Sequence, residues 1–305
     1  VLFDAYIMAD WSAANVPGPP GGGPNGIWVA VGRPGAPDVV APRRTRVDAA
    51  EVVTGELRGL LAAGLRVLVG FDVAYGYPVG TARALGLGAG PPWRATWGHL
   101  TAAVRDDGAN ASNRFEVAAA ANRAIGAPPG PFWGTPWRRP PDALQPTKPV
   151  FPFALPGGGA LAEHRATERL LRRAGHQPKS VWQLAYAGSV GSQALVGIPH
   201  LVRLRHDAAL AAHSRVWPFE TGFTADPLAG ADRGIVHAEV YPSLLHPDPA
   251  LHPVHDARQV LALVAAFRAM DAAGTLGAAF APPEAVGDAA ALDEEGWVLV
   301  PRGPA

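Results

Sequence analysis

The sequence predicts an α/β protein: a mixed sheet flanked by helices, with a large Pro/Gly/Trp-rich insertion in its middle. Three observations lead there. Three strand-like runs are followed by a helical run and then by a buried strand at Arg66–Phe71. That strand follows a crossover helix and so can lie parallel to an earlier one. The regular pattern stops near residue 88 and returns near residue 231, with an alternating strand and then the strongest helical pattern of the chain.

Phe3–Ala9 is a β-rich run that ends in Asp10. Residues 15–25, NVPGPPGGGPN, suit neither a helix nor a central strand and form a loop. Ile27–Arg33 and Asp38–Arg46 are the second and third strands. Val47–Ala63 has helical apolar spacing, with Asp48 as N-cap and Gly64 as stop. Arg66–Phe71 follows as a buried strand and ends at Asp72. In the middle, helices are expected at Asn113–Ile125 and Leu161–Ala174, with Pro128–Gly159 extended or looped. Six of the nine tryptophans lie in this stretch, and free linkers rarely carry such large apolar groups. Residues 1–87 and 231–305 are therefore expected to form the core, and 88–230 a cap over the active-site edge. Gly234–Tyr241 alternates as a strand does, with Val236, Ala238 and Val240 on one face and His237, Glu239 and Tyr241 on the other. Val254–Ala273 is a helix with His255 and Asp256 in its first turn. The tail EEGWVLVP is an edge strand or a packed C-terminal segment.

Composition removes several function classes. With 48% hydrophobic and 17% charged residues, the 305-residue chain can bury a real core, which excludes global disorder. It has no cysteine, so disulfides, thiolate zinc sites, iron–sulfur clusters and cysteine nucleophiles are excluded. Lys+Arg 26 balances Asp+Glu 26, which excludes a chain-wide basic field for gripping nucleic acid. No apolar run approaches the roughly 20 residues that span a bilayer. The start VLFDAYIMADWS lacks the features of a signal peptide, so a cytoplasmic location is expected. P-loop, H-E-x-x-H and G-x-S-x-G patterns are absent, and LGLGAG (85–90) lacks the dinucleotide fingerprint.

Carboxylate chemistry remains. Asp10 ends the first strand and Asp72 the fourth; as parallel neighbours they would emerge at one carboxyl edge, where open α/β sheets bind ligands. Glu239 lies on the later strand and Asp256 at a helix start. Acids gathered in one place repel each other and tolerate closeness when a cation neutralises them. Hard oxygen ligands suit Mg²⁺ or Mn²⁺, which activate water and stabilise a phosphoryl transition state. Structural roles compete: an Asp after a strand caps turns, and Asp256 also complements a helix dipole.

The insertion carries the candidate substrate contacts. AGSVGSQ (187–193) is suited to aim Ser189, Ser192, Gln193 and backbone N–H groups at an anion. Lys179, Trp182 and Gln183 precede it and offer a charge, a stacking face and an amide. Asn113 and Arg114 stand at a helix start, Lys148 lies between prolines, and Tyr241 shares the face of Glu239. Lys148 and Lys179 are the only lysines, and arginine does not copy a compact ammonium charge. Against these roles, the glycines can serve backbone packing and the tryptophans the core.

The order of elements, with VGFDVAYGYP (69–78), HAEVYPSLL (237–245) and DARQVLALVAAF (256–267), resembles an uncharacterised bacterial family, domain of unknown function 429, of predicted ribonuclease-H-like nucleases. The resemblance implies a five-stranded mixed sheet and a two-metal carboxylate site. By position Asp10 and Asp72 match the first-strand and fourth-strand acids. Asp256 matches the terminal acid of the resolvase branch, and Glu239 the acid of the segment Glu239–Pro242. The acid that ribonuclease H carries on its first helix has no secure match, and the insertion is foreign to it. The expected function is a Mg²⁺- or Mn²⁺-dependent phosphoester hydrolase acting on nucleic acid or a small phosphate-bearing substrate. The alternative is a non-catalytic protein of the same fold that binds a nucleotide or phosphate-bearing metabolite. Convergence of the four acids favours the first, and an arginine standing among them the second.

Overall fold

The apolar runs of the first 71 residues become four adjacent strands of one sheet in a computed structural model, which describes residues 1–88, 90–126, 129–138, 141–285 and 287–301. In chain order the first elements are β1 (Ala5–Asp10), β2 (Ile27–Gly32), β3 (Val39–Arg43), α1 (Arg46–Ala62) and β4 (Arg66–Phe71). Then come α2 (Thr81–Ala84), α3 (Pro92–Ala103), α4 (Arg114–Ile125), β5 (Phe153–Ala154), β6 (Ala160–Leu161), α5 (Ala166–Arg173) and α6 (Val190–Arg205). The last are β7 (Ser214–Val216), β8 (Gly234–Val240), α7 (His255–Ala272), α8 (Leu276–Phe280) and β9 (Val298–Leu299).

Seven strands form the main sheet in the order β3-β2-β1-β4-β8-β7, with β9 also on β8. Strand β2 runs antiparallel to β1 and β3, whereas β1, β4, β8, β7 and β9 pair in parallel. β1 and β8 are buried almost throughout because helices cover both faces. On one face Ile7, Val29, Val69 and Phe71 join Val53 and Leu57 of α1 and Leu195 and Ile198 of α6 in one core. On the other, Met8, Leu68 and Val236 meet Val260, Leu263 and Phe267 of α7. Each such buried side chain contributes about 1.5–3 kcal/mol before ordering costs.

Several expectations are corrected. The sheet has seven strands rather than five, because β7 and β9 extend the edge beyond β8. Strand β7 lies inside the expected insertion yet pairs with β8, so a boundary at residue 230 cuts the sheet. Helix α1 is capped by Thr45, whose Oγ1 accepts from the Asp48 N–H; Asp48 is in the first turn. The helix expected from Leu161 starts at Ala166, because Ala160–Leu161 pairs with Phe153–Ala154. Helices α3 and α6 were not expected: their glycine, serine and proline content masks the apolar face that each buries. Of the expected loop Pro128–Gly159, residues 128, 139 and 140 lie outside the described residues. Among the described residues no helix is long and apolar enough to cross a membrane.

Candidate active site

The parallel pairing of β1 with β4 sets Ala9 against Phe71, and the Asp72 N–H donates to Ala9 O at 2.9 Å. Asp10 and Asp72 therefore leave the carboxyl ends of neighbouring strands side by side, at the strand spacing of about 4.8 Å. The first turn of α7 adds Asp256, and all three acids line one cavity of about 660 Å³. Asp256 also accepts from the Asn25 N–H at 2.7 Å, which docks the glycine-rich loop onto the helix start.

The electrostatics are those of uncompensated acids. Burial pushes the Asp10 carboxyl well above the ordinary carboxylate range, and the charges of Asp72 and Asp256 push it further. Burial, then Glu239 and Asp256, raise Asp72 to about 7. Both side chains keep some exposure to the cavity, so this burial is enclosure by protein around a wet face. The side-chain charges that dominate both shifts are those of other acids, and neither carboxylate is in an ion pair with an arginine or lysine among the described residues.

Glu239 belongs to a different environment. On β8 it is level with Phe71, and its carboxylate accepts from Arg165 at 2.5 and 2.8 Å and from the Tyr75 N–H at 2.9 Å. Arg165 is fully enclosed and also bonds Glu168 at 2.8 Å and Glu295 O at 2.8 Å. Burial alone would lower its pKa, but Glu168 and Glu239 outweigh that and raise it. Glu295 and Glu294 in turn accept from the N–H groups of Ala166, Val79, Gly80 and Ala82, tying the tail to the segment after Asp72. Gly76 makes this possible: a Cβ there would lie 2.2 Å from Glu294 O. Three acids thus share the cavity, and the fourth is paired with an arginine that it shares with Glu168.

The loop after Asp10 is fixed from both sides. Gln193 Nε2 donates to Trp11 O at 2.6 Å, and Arg46 NH1 donates to Ser12 O at 2.9 Å and Ala14 O at 2.8 Å. Arg46 is itself paired with Asp106 at 2.6 Å, and His200 Nε2 lies 3.0 Å from Asp106. Burial would raise Asp106, but its bonds to Arg46 and His200 hold it below the ordinary value.

The other expected contacts divide. Lys179, Arg114, Ser189, Ser192, Gln193 and Tyr241 line the cavity with the three acids. Lys179 is exposed, and its stem packs on Gly188, where a Cβ would lie 2.9 Å from its Cγ. With Asp72 and Tyr241 it also lines a second, small space of about 40 Å³ against Arg165 and Glu239. Arg114 Nε donates to Ser192 Oγ at 3.0 Å, NH1 bonds Asn15 and Ser112, and burial lowers its pKa to about 10. The donors of AGSVGSQ are largely spent inside the protein. Val190 N–H donates to Gly188 O, Gly191 N–H to Gln183 O, and Ser192 Oγ to Leu184 O at 2.6 Å.

Four residues stand elsewhere. Trp182 is fully buried against Tyr77 and Phe132 and donates to Ala162 O, so it is core and not a stacking face. Gln183 Nε2 donates to Ala185 O and Ala187 O and shapes the loop from within. Asn113 ties α3 to α4 through Ala103 O and the Arg105 N–H. Lys148 pairs with Glu163 at 3.1 Å, outside the cavity lining. Arg165, Arg46 and Asp106 were missed, and only the position of Arg165 three residues before Glu168 at a helix start carries a local signal.

The acids that line the cavity are hard oxygen donors without a paired cation, which suits Mg²⁺ or Mn²⁺. Among the described residues no group of three or more His, Asp or Glu side chains is gathered tightly enough to enclose an ion. Mg²⁺ needs less, since it commonly keeps several waters and uses one or two carboxylates together with substrate phosphate. Compared with protein-family models, with curated proteins and with solved structures, the chain matches none.

Proposed function

We propose that this chain is a divalent-cation-dependent phosphoester hydrolase of ribonuclease-H-like type, with Asp10 and Asp72 as cation anchors and Asp256 beside them. The observation that carries the reading is the pair of unneutralised carboxylates at the ends of neighbouring parallel strands, facing a cavity that also holds Lys179. The order β3-β2-β1-β4-β8 with only β2 reversed supports the fold assignment, with β7 and β9 as additions at one edge.

Hydrolysis forms a bond from a water oxygen to phosphorus and breaks the ester P–O bond, and the departing oxygen gains a proton. Mg²⁺ or Mn²⁺ supplies activation of water and neutralisation of charge on the phosphoryl group. Asp10 and Asp72 hold the cation and exclude anions from their side of the cavity. Lys179 binds non-bridging phosphate oxygens, and Arg114 adds positive potential to the same cavity. Gln193 and Arg46 hold the backbone after Asp10, so its carboxylate needs little reorganisation.

The Arg165–Glu239 pair favours the second reading, a non-catalytic binder of a nucleotide or phosphate-bearing metabolite, because it withdraws one acid from the set. A single panel separates the two. Single-stranded DNA, RNA, branched DNA and small phosphate esters are incubated with Mg²⁺ or Mn²⁺ beside an Asp72→Asn control. Cation-dependent turnover that disappears in Asp72→Asn is the expected result. Cation-independent nucleotide binding without turnover would transfer the case to the binder.

A further inference from the structure

We infer that Tyr186 is a substrate-binding residue whose ring stacks on an unpaired nucleobase next to the phosphodiester held in the acidic cavity. The inference rests on the hydrolase reading above and names its substrate class as single-stranded nucleic acid.

Tyr186 combines three properties that core packing does not require. Its backbone is left-handed, with φ 74°, a region that a bulky residue enters at a cost of about 1 kcal/mol or more. The residue is 55% exposed, although most aromatic residues of the chain are buried. It lines the same cavity as Asp10, Asp72, Asp256 and Lys179. Strain that presents an apolar ring to water, beside a charged cavity, is costly unless something covers the ring.

The ring is also held in place. Its hydroxyl donates to Thr135 O at 3.2 Å and lies 3.4 Å from Pro146 O, and Trp133 backs it at 6.5 Å between centroids. An exposed aromatic residue held at its hydroxyl can serve as a platform. The polar walls of the cavity say what occupies it: a cation site and an ammonium group bind a phosphodiester, and the group that a phosphodiester carries with a flat apolar face is a nucleobase. At about 660 Å³ the cavity takes a nucleotide with a neighbour. A net charge of zero fits a short local contact and opposes a long duplex track.

The test measures binding, by fluorescence anisotropy, of a labelled oligothymidine and of an abasic strand of equal length, with Ca²⁺ as the cation. Wild type is expected to prefer the base-bearing strand by about 5- to 160-fold, the range for stacking one base on an aromatic ring. Tyr186→Ala should lose most of that preference while keeping its affinity for the abasic strand, which also reports an intact fold. Tyr186→Phe discriminates further. Stacking needs the ring and not the hydroxyl, so Phe should retain the preference. If the hydroxyl merely ties two loops together, Phe should fail as Ala does, and the inference falls. Equal binding of the two strands by wild type, or binding of neither, also overturns it. Cation-dependent cleavage of a small phosphodiester by wild type is read separately, so loss of base preference alone leaves the hydrolase standing.

Discussion

Replacing Asp72 by Asn should stabilise the cation-free protein, and the gain should grow with pH. The folded carboxyl titrates near 7 against 3.8 for an unhindered one, first because it is enclosed and then because Glu239 and Asp256 repel its charge. Below pH 3.8 the group is protonated in both states and costs nothing. Between 3.8 and about 7 the native state keeps the proton and the unfolded state loses it, so stability falls as pH rises. Above 7 the whole penalty is present. The gap corresponds to on the order of 4 kcal/mol, and water in the cavity screens it to about 1–3 kcal/mol. Asparagine keeps the shape without the charge, so the variant should lack this slope.

A cation reverses the order. Mn²⁺ at 100 times its dissociation constant stabilises a native-state binder by about 2.7 kcal/mol. With 305 residues and about 2.1 cal/mol/K of unfolding entropy each, that is a rise of about 4 °C in Tm. Calorimetric melts at pH 5 and pH 8, in chelator and in Mn²⁺, give four values for each protein. Wild type should be the less stable protein in chelator at pH 8 and should gain several degrees from Mn²⁺; Asp72→Asn should gain little. Parallel pH profiles for the two proteins, or an equal Mn²⁺ response, would refute the reasoning and return Asp72 to a turn-forming role.

Three further changes probe the frame around the site. Arg165→Met leaves Glu168 and Glu239 buried without their cation, and urea melts should show a loss of about 3–5 kcal/mol. Gly191→Ala places a Cβ 2.4 Å from Val181 O and 2.7 Å from Gln183 O, both backbone atoms. It should cost about 1–3 kcal/mol and shift the loop beside Lys179, seen as amide chemical-shift changes over residues 187–193. Trp182→Ala should cost about 3–5 kcal/mol in the same melts; unchanged stability would restore it as an exposed contact.

The sheet and its acidic edge were legible for a simple reason. Each strand of the first 71 residues is a short apolar run bounded by turn residues, and Asp10 and Asp72 follow such runs directly. A crossover helix between them fixes the relative direction of the strands. Helix α6 was hidden because Gly191, Ser192, Gly197 and Pro199 read as a loop; they are buried where the helix lies tight against its neighbours. At Gly197 a Cβ would lie 2.7 Å from the Val73 side chain, so closeness selected the small residue and erased the local helical signal. Trp182 shows the converse: beside Lys179 and the Gly/Ser segment it reads as a surface contact or a core ring, and only tertiary packing places its ring inside the core.

What sequence spacing cannot give is the sorting of acids by partner. Glu239 and Asp106 each meet a buried arginine, from 74 and 60 residues away, and spend their charge holding loops in place. The side-chain charges that act most on Asp10 and Asp72 are those of other acids. All four are acids in largely enclosed positions, so burial does not separate them; the presence of a guanidinium does. Arg165 and the Tyr75 N–H hold the Glu239 carboxylate in place, and Glu239 acts on Asp72 as repulsion. Although paired with Arg165, Glu239 therefore helps to keep its neighbour's carboxyl near 7. A cation entering the cavity gains from a carboxylate pair that the protein has left without compensation, and the frame that leaves it so is built by Arg165, Glu239 and the tail residues Glu294 and Glu295.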